Sequence, residues 1–283
     1  MAATFMRFPG GKAKAVTFSY DDGVPQDKRL AEIFDKYGIK GTFNLNCDSK
    51  QRHNFSKEEL EEIFLSKGHE IAVHGADHKA NGNYRIIEGI RDVLDCRLWL
   101  ENRCNRIIRG MAYPDTGITV LGNYCKYEQI KSYLTELDIA YARTLGGDNN
   151  SFMIPDDFHA WMPTAHHNNP KIFEYIDEFI NLDLSTNVYH ATRYPRLFYV
   201  WGHSYEFDSN NNWDLIETIC QKFSSCNEIW FATNIEIYDY IMAYKSLHFS
   251  ADGSIIYNPT LIEIWFDIGG NVYNIKPGER IHL

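Results

Sequence analysis

The 283 residues carry 28 Lys plus Arg against 38 Asp plus Glu, a formal charge of −10, with 44% hydrophobic and 23% charged residues. That balance excludes a disordered or low-complexity chain, and it argues against a nucleic-acid or anionic-membrane partner, which needs a broad basic footprint. Apolar runs such as Leu197 to Trp201 fall far short of the roughly 18 to 20 residues of a membrane span.

Met1 to Gly10 lacks a basic start, an apolar stretch and a small-residue cleavage site, so the expected location is cytoplasmic unless a leader has been trimmed. Cys47, Cys96, Cys104, Cys125, Cys220 and Cys226 are scattered with no CxxC pair, and a chain this large does not need disulfide staples. They are read as mostly reduced thiols.

The first strand is expected at Ala15 to Tyr20. Leu30, Ile33, Phe34 and Tyr37 then repeat at helical spacing up to Gly38. Thr42 to Leu45 is the next strand, followed by a helix from Ser56, whose Ser-Lys-Glu-Glu start resembles a capping box, to Gly68. Glu70 to His74 is the third strand, and Ile86 to Leu98 marks a long helix. Further strands are predicted at Ile107 to Tyr113, Ile139 to Thr144, Phe158 to Met162, Leu197 to Trp201 and Glu228 to Ala232. Helices are predicted near 126–137, 170–181, 213–223 and 235–245.

Strands alternating with helices imply a parallel sheet, and about seven or eight such units imply a closed or nearly closed α/β barrel with its chemistry at the C-terminal strand ends. From Leu247 onward, turn signals at Ala251 to Gly253, Asn258-Pro259, Gly269 to Asn271 and Pro277-Gly278 punctuate short β segments. The expected division is a barrel over 1–246 and an antiparallel β extension over 247–283. That tail is too short for a core of its own and is expected to pack on the barrel. A small carbohydrate-binding or dimer-forming flap is the other reading.

Three motifs fall at predicted strand ends. Ser19-Tyr20-Asp21-Asp22-Gly23 sets two carboxylates side by side, which is best tolerated where a cation or a base-type role uses the charge; a solvated Asp-Asp-Gly turn would look the same. In His74-Gly75-Ala76-Asp77-His78, two imidazoles four apart suit a divalent metal, though that spacing alone is weak. A carboxylate plus two His makes three protein ligands and leaves positions open, as a catalytic zinc site requires. His203, in Trp201-Gly202-His203-Ser204-Tyr205, follows an apolar strand onto the same rim, where a near-neutral imidazole can give a proton to a leaving group.

At this point the chain resembles the polysaccharide deacetylases with a NodB-type domain, carbohydrate esterase family 4, over roughly residues 10 to 245. Thr17 to Gly23 is similar to the family's TFDDG motif, His74 to His78 to its H(S/T)xxH motif, and Trp201-Gly202-His203 to its LxH motif. The resemblance implies a distorted (β/α)7-type barrel and a divalent metal, expected to be Zn with Co, Mn or Ni as alternatives. It also implies Asp21 as catalytic base, Asp22, His74 and His78 as metal ligands, and His203 as general acid.

The match departs from the family at two places. Anchored on Pro114, the RxPY motif would put Ala112 at the arginine position and Asp115 at the aromatic position, with Arg109 one turn early. Gly75 stands where the family has Ser or Thr, which would cost His74 one supporting partner. Tyr113, Asp115 and Arg109 are carried as candidate substrate or oxyanion contacts. Trp161 is the candidate groove-lining aromatic, with His166 and His167 nearby; an ordinary buried indole is an equal reading.

The expected activity is metal-dependent removal of acetyl groups, N-acetyl before O-acetyl, from an acetylated amino sugar or glycan. The alternatives are an O-acetyl glycan esterase with the same site, a metal-free amide or cyclic-imide hydrolase, and a glycan-binding barrel without turnover.

Overall fold

The computed structural model describes residues 3–47, 55–115, 117–118, 124–145, 149–184 and 193–283. Thr4–Arg7 forms β1 and Lys14–Asp21 forms β2, whose eight residues are all buried. Burial on both faces is the condition of a central parallel strand, and its polar members are paired inside: Thr17 Oγ1 donates to Asn234 Oδ1 and Ser19 Oγ accepts from Asn44 Nδ2, each at 2.7 Å. Helix α1 (Asp27–Lys36) lays Leu30, Ile33 and Phe34 on the core and leads to β3 (Gly41–Leu45).

Ser56 opens the next helix with a capping box: its Oγ accepts from Glu59 N, and the Glu59 carboxylate accepts from Ser56 N. α2 (Lys57–Glu59) continues through a π-helical turn at Leu60–Phe64 and a 3-10 turn at Leu65–Lys67. It stops at Gly68, whose φ of 85° is left-handed. Then follow β4 (Glu70–Val73), α3 (Ile86–Cys104), β5 (Gly110–Ala112), α4 (Tyr127–Glu136) and β6 (Tyr141–Arg143). The second half holds β7 (Ala165–His166), α5 (Ile172–Asn181), β8 (Arg196–Gly202), α6 (Tyr205–Ser209), α7 (Trp213–Ser224), β9 (Ile229–Phe231) and α8 (Asn234–Lys245).

The strands pair in the order β6-β5-β4-β3-β2-β8-β7, with β9 also on β2, and all of these pairings are parallel. The result is a curled parallel sheet wrapped by helices, a distorted (β/α)7-type barrel. One strand expectation fails. Phe158–Ala160 is a 3-10 turn, begun by the Asp157 carboxylate accepting from His159 N, and Pro163 lacks the N–H that an uninterrupted strand would donate. The strand role passes to Trp161, which bridges to Arg143, and to β7, which pairs with β8. This short segment therefore touches both edges of the curled sheet.

The tail contains β10 (His248–Phe249), β11 (Ile255–Tyr257), β12 (Ile264–Ile268), β13 (Asn271–Ile275) and β14 (Arg280–His282), paired antiparallel. β1, which the sequence did not flag, pairs antiparallel with β12 from Thr4↔Ile268 to Arg7↔Trp265. Ile256, Ile264, Phe266 and Ile275 are buried in one cluster with Tyr199, Trp161 and Ile237, so the tail has no core separate from the barrel's lower half. No helix among the described residues is long and apolar enough to cross a membrane.

Candidate active site and metal centre

The parallel sheet delivers five side chains to one rim. Asp21 ends β2 and Asp22 follows it; His74 follows β4; Arg143 ends β6; His203 follows β8. Asp22 takes φ 88° and His78 takes φ 50°, left-handed values that a non-glycine residue adopts at a cost the surrounding structure must impose.

Asp22 Oδ1 lies 3.5 Å from His74 Nε2 and 3.2 Å from His78 Nε2. Ligand atoms about 2.1 Å from a tetrahedral ion stand about 3.4 Å apart, so the spacing is that of a coordination shell. His74 Nδ1 donates to the Ala112 carbonyl at 3.0 Å, which fixes the tautomer and leaves the Nε2 lone pair facing Asp22. The donor set, one carboxylate oxygen and two imidazole nitrogens, fits a divalent ion such as zinc.

Gly75 belongs to this construction. Its φ is +77°, and a Cβ there would meet Asp92 Oδ2 at 2.7 Å. Asp92, on α3, accepts from Ala76 N at 2.9 Å and Asp77 N at 2.8 Å, holding the loop between the two histidines. A Ser or Thr at 75 would collide with the carboxylate that shapes the loop. His74 takes its support from Ala112 instead.

Asp21 is 1% exposed and bonded on both oxygens: Asn44 Nδ2 donates to Oδ1 at 2.9 Å, and Arg143 pairs with Oδ2. Burial pushes the carboxyl up, but Arg143, His74 and His203 together outweigh it and hold Asp21 below the ordinary carboxylate range. Arg143 is itself fully buried and lies 4.6 Å from the Trp201 ring. The arginine sought near β5 thus arrives from β6, one strand further along. A charged residue inside the apolar strand Ile139 to Thr144 was the available signal.

His203 donates from Nδ1 to Glu206 Oε1 at 3.2 Å, three residues on at the start of α6. Burial alone would push this imidazole down; the bond to Glu206 and the charges of Asp21 and Asp22 raise it above its ordinary value. Glu206 Oε2 also lies 3.2 Å from His166 Nε2 and 3.0 Å from His167 Nε2, and these three residues are a second group with metal-ligand spacing. Part of this group is satisfied by protein contacts, while the buried ring nitrogens of His167 have no hydrogen-bond partner among the described residues. His166 Nδ1 accepts from Asn168 N, so its Nε2 carries the proton and donates to Glu206, and Asn168 Nδ2 donates to the same oxygen at 3.1 Å. Buried His167 is pushed down to about 4 and stays neutral.

The remaining candidates lie elsewhere. Arg109 precedes β5 at the opposite end of the sheet, ion-paired with Asp239 of α8 at 3.0 Å, so it does not reach Asp21. Trp161 is 1% exposed and packs edge-on against Tyr141, Phe158 and Tyr199, which makes it core and not groove. The Tyr113 hydroxyl donates to the His159 carbonyl, and its N–H donates to the Arg143 carbonyl. Pro114 has no N–H, so neither of these two residues supplies an oxyanion donor. Asp115, with φ 54°, is exposed on the loop after β5.

Residues 9–122 match the family model described as polysaccharide deacetylase. No curated protein sequence matches the chain. A Mycobacterium smegmatis protein assigned to the polysaccharide deacetylases has a similar structure, with 17% identity, coverage of 87% of this chain and 96% of that one, and a TM-score of 0.59. The catalytic domain of a peptidoglycan N-acetylglucosamine deacetylase from Eubacterium rectale gives 18% identity, 81% and 91% coverage, and a TM-score of 0.50. A family 4 acetyl xylan esterase from Clostridium thermocellum, solved with a cobalt ion, gives 16% identity, 80% and 90% coverage, and a TM-score of 0.50. These likenesses support the barrel.

Proposed function

We propose that this chain is a polysaccharide deacetylase that hydrolyses acetyl groups, N-acetyl in preference to O-acetyl, on an amino sugar or glycan, a reading supported by the family model that residues 9–122 match. The observation that carries the reading is the convergence of Asp22, His74 and His78 around one point beside the carboxylate of Asp21, with His74 Nε2 4.0 Å from Asp21 Oδ2.

In this reading Asp22, His74 and His78 hold the ion through Oδ1, Nε2 and Nε2. When bound, a divalent ion there supplies Lewis acidity and lowers the pKa of water at the site. Asp21 is the base, accepting the proton of the attacking water. Arg143 and Asn44 fix the orientation of its carboxylate and keep it ionised at neutral pH. His203, held by Glu206 through Nδ1, presents Nε2 to the leaving group and gives it a proton. An amine departing from a tetrahedral intermediate needs that proton far more than an alkoxide does, so a raised imidazole suits an amide substrate.

Trp201, His166 and Tyr205 surround His203, with ring centroids 5.9, 6.3 and 5.2 Å away, and form the rim a sugar would meet. The test is acetate release from a panel of N- and O-acetylated sugars by metal-loaded and chelated protein. Release from N-acetyl substrates that depends on metal and on His203 supports the reading. Release only from O-acetyl esters with His203 dispensable identifies the esterase. Turnover that survives metal removal points to the metal-free amide hydrolase, and binding without release to the inert glycan-binding barrel.

A further inference from the structure

His166 and His167 are neighbours at the end of β7, and successive side chains of a continuing strand would face opposite ways. Here the strand stops. Asn169 N donates to the His166 carbonyl at 2.9 Å and turns the chain, while His167 N still donates to the Trp201 carbonyl of β8 at 2.9 Å. The two rings end with centroids 4.4 Å apart. Their Nε2 atoms reach the same oxygen, Glu206 Oε2 at the start of α6, at 3.2 and 3.0 Å. Around Asp22 Oδ1 the matching distances are 3.5 and 3.2 Å.

The His167 ring has a built seat. Its side chain is 0% exposed, stacks on Tyr20 at an interplanar angle of 9° and lies 4.3 Å from the Phe207 ring. Gly202 of β8 makes the room, since a Cβ there would come within 2.0 Å of His167 Nδ1. Yet neither ring nitrogen has a hydrogen-bond partner among the described residues; Glu206 Oε2 is close to Nε2 but outside hydrogen-bond geometry. A buried polar atom left unpaired is costly and calls for an explanation. Two donor atoms about 3 Å apart that do not bond each other are placed as ligands of one ion are placed.

We propose that His166, His167 and Glu206 form a second divalent-cation site, taking zinc-like ions in preference to magnesium or calcium and binding more weakly than the centre at Asp22. The ligand atoms are Nε2, Nε2 and Oε2, all within 4.8 Å of one another. Two imidazoles and one carboxylate suit borderline ions such as zinc, whereas magnesium and calcium take shells of oxygen. Glu206 keeps Oε1 on His203 Nδ1, so the ion and the proton donor share one carboxylate.

The weaker binding follows from what stands behind each ligand. His74 has its tautomer set by the Ala112 carbonyl, but His167 Nδ1 has no such support. His166 must move its proton from Nε2 to Nδ1 and give up the bond from Asn168 N. Asn168 is exposed, so water takes over that amide. Missing supporting contacts of this kind lower metal affinity about tenfold or more.

Metal-free wild type, His74→Ala, His167→Phe and His166→Ala are titrated with zinc by calorimetry, and wild-type crystals soaked in excess zinc are measured at the zinc edge. Wild type is expected to bind two equivalents, the second about tenfold or more weaker than the first. His74→Ala should lose the tight class and keep the weak one. His167→Phe, whose ring fills the same seat, and the half-buried His166→Ala should each lose the weak class and keep the tight one. The excess-zinc crystals should show a second peak about 2.0 to 2.2 Å from His166 Nε2, His167 Nε2 and Glu206 Oε2.

A wild type with no weak class, a weak class that persists in folded His166→Ala, a second peak elsewhere, or displacement of the weakly held zinc by magnesium overturns the proposal. The second site does not depend on the first: if His74→Ala keeps the tight class, the reading of the Asp22 centre has failed, and the weak class still decides this one.

Discussion

Arg143 and Asp21 form an ion pair that is 0% and 1% exposed at its two side chains, so neither charge can fall back on water if the other is removed. Replacing Arg143 with Met fills much of the same volume and strands the Asp21 carboxylate. Removing one partner of a buried pair costs about 3 to 5 kcal/mol. Asn44 still donates to Oδ1 at 2.9 Å, which places the expected loss near the lower end, about 3 kcal/mol. In the double variant with Asp21→Asn no charge is stranded, so the two losses should fail to add by about 2 kcal/mol, within the range found for residues in contact.

The sign of the pH dependence follows from the same pair. A carboxyl held below its unfolded pKa stabilises the fold at every pH above that unfolded value, and this contribution is lost as pH falls through the folded one. Wild type should therefore lose stability on acidification, whereas Arg143→Met should be relieved by it, because protonation removes the stranded charge. Urea unfolding of metal-free protein at neutral and acid pH reads both effects. An Arg143→Met loss below about 1 kcal/mol that adds to that of Asp21→Asn would show that the pair is not the closed, buried contact described.

Asp21→Asn should abolish acetate release while zinc is retained, and equilibrium dialysis beside a turnover assay separates the two. His203 is held above its ordinary pKa, so its donor form is present below that raised value and disappears as pH rises through it. Glu206→Gln removes the largest raising contact and should move the alkaline limb of the pH–rate profile to lower pH; an unmoved limb would release Glu206 from this role. Gly75→Ala places a Cβ 2.7 Å from Asp92 Oδ2 at a φ of +77°. It should cost about 1 to 2 kcal/mol in urea unfolding for the left-handed conformation alone, with weaker zinc binding from the displaced Asp92.

The sequence disclosed what local chemistry encodes. Ser56 and Glu59 announced a capping box, Gly68 a stop, and the strand ends at Asp21, His74 and His203 stood out because polar groups followed apolar runs. What remained hidden depends on contacts between distant residues. Arg143 could be singled out only as a charge within an apolar strand; its partner Asp21, 122 positions away, is set by the order of the strands and not by anything local. Arg109 drew attention by its closeness in sequence to Pro114, yet three positions along a strand move a side chain about 10 Å, here toward the opposite end of the sheet.

Phe158 to Met162 has strand composition, and the Asp157 cap with Pro163 overrode it. β1 is only four residues, and its partner β12 lies at the other end of the chain. Trp161 could be read as groove or core from its type alone; its three aromatic neighbours make it core.

Zinc-edge anomalous scattering from crystals soaked in one equivalent of zinc bears most directly on the whole account. A single peak within about 2.0 to 2.2 Å of Asp22 Oδ1, His74 Nε2 and His78 Nε2 is the predicted result. A peak at His166, His167 and Glu206 with nothing at the first site, or no ordered ion in a protein that still releases acetate, would contradict it.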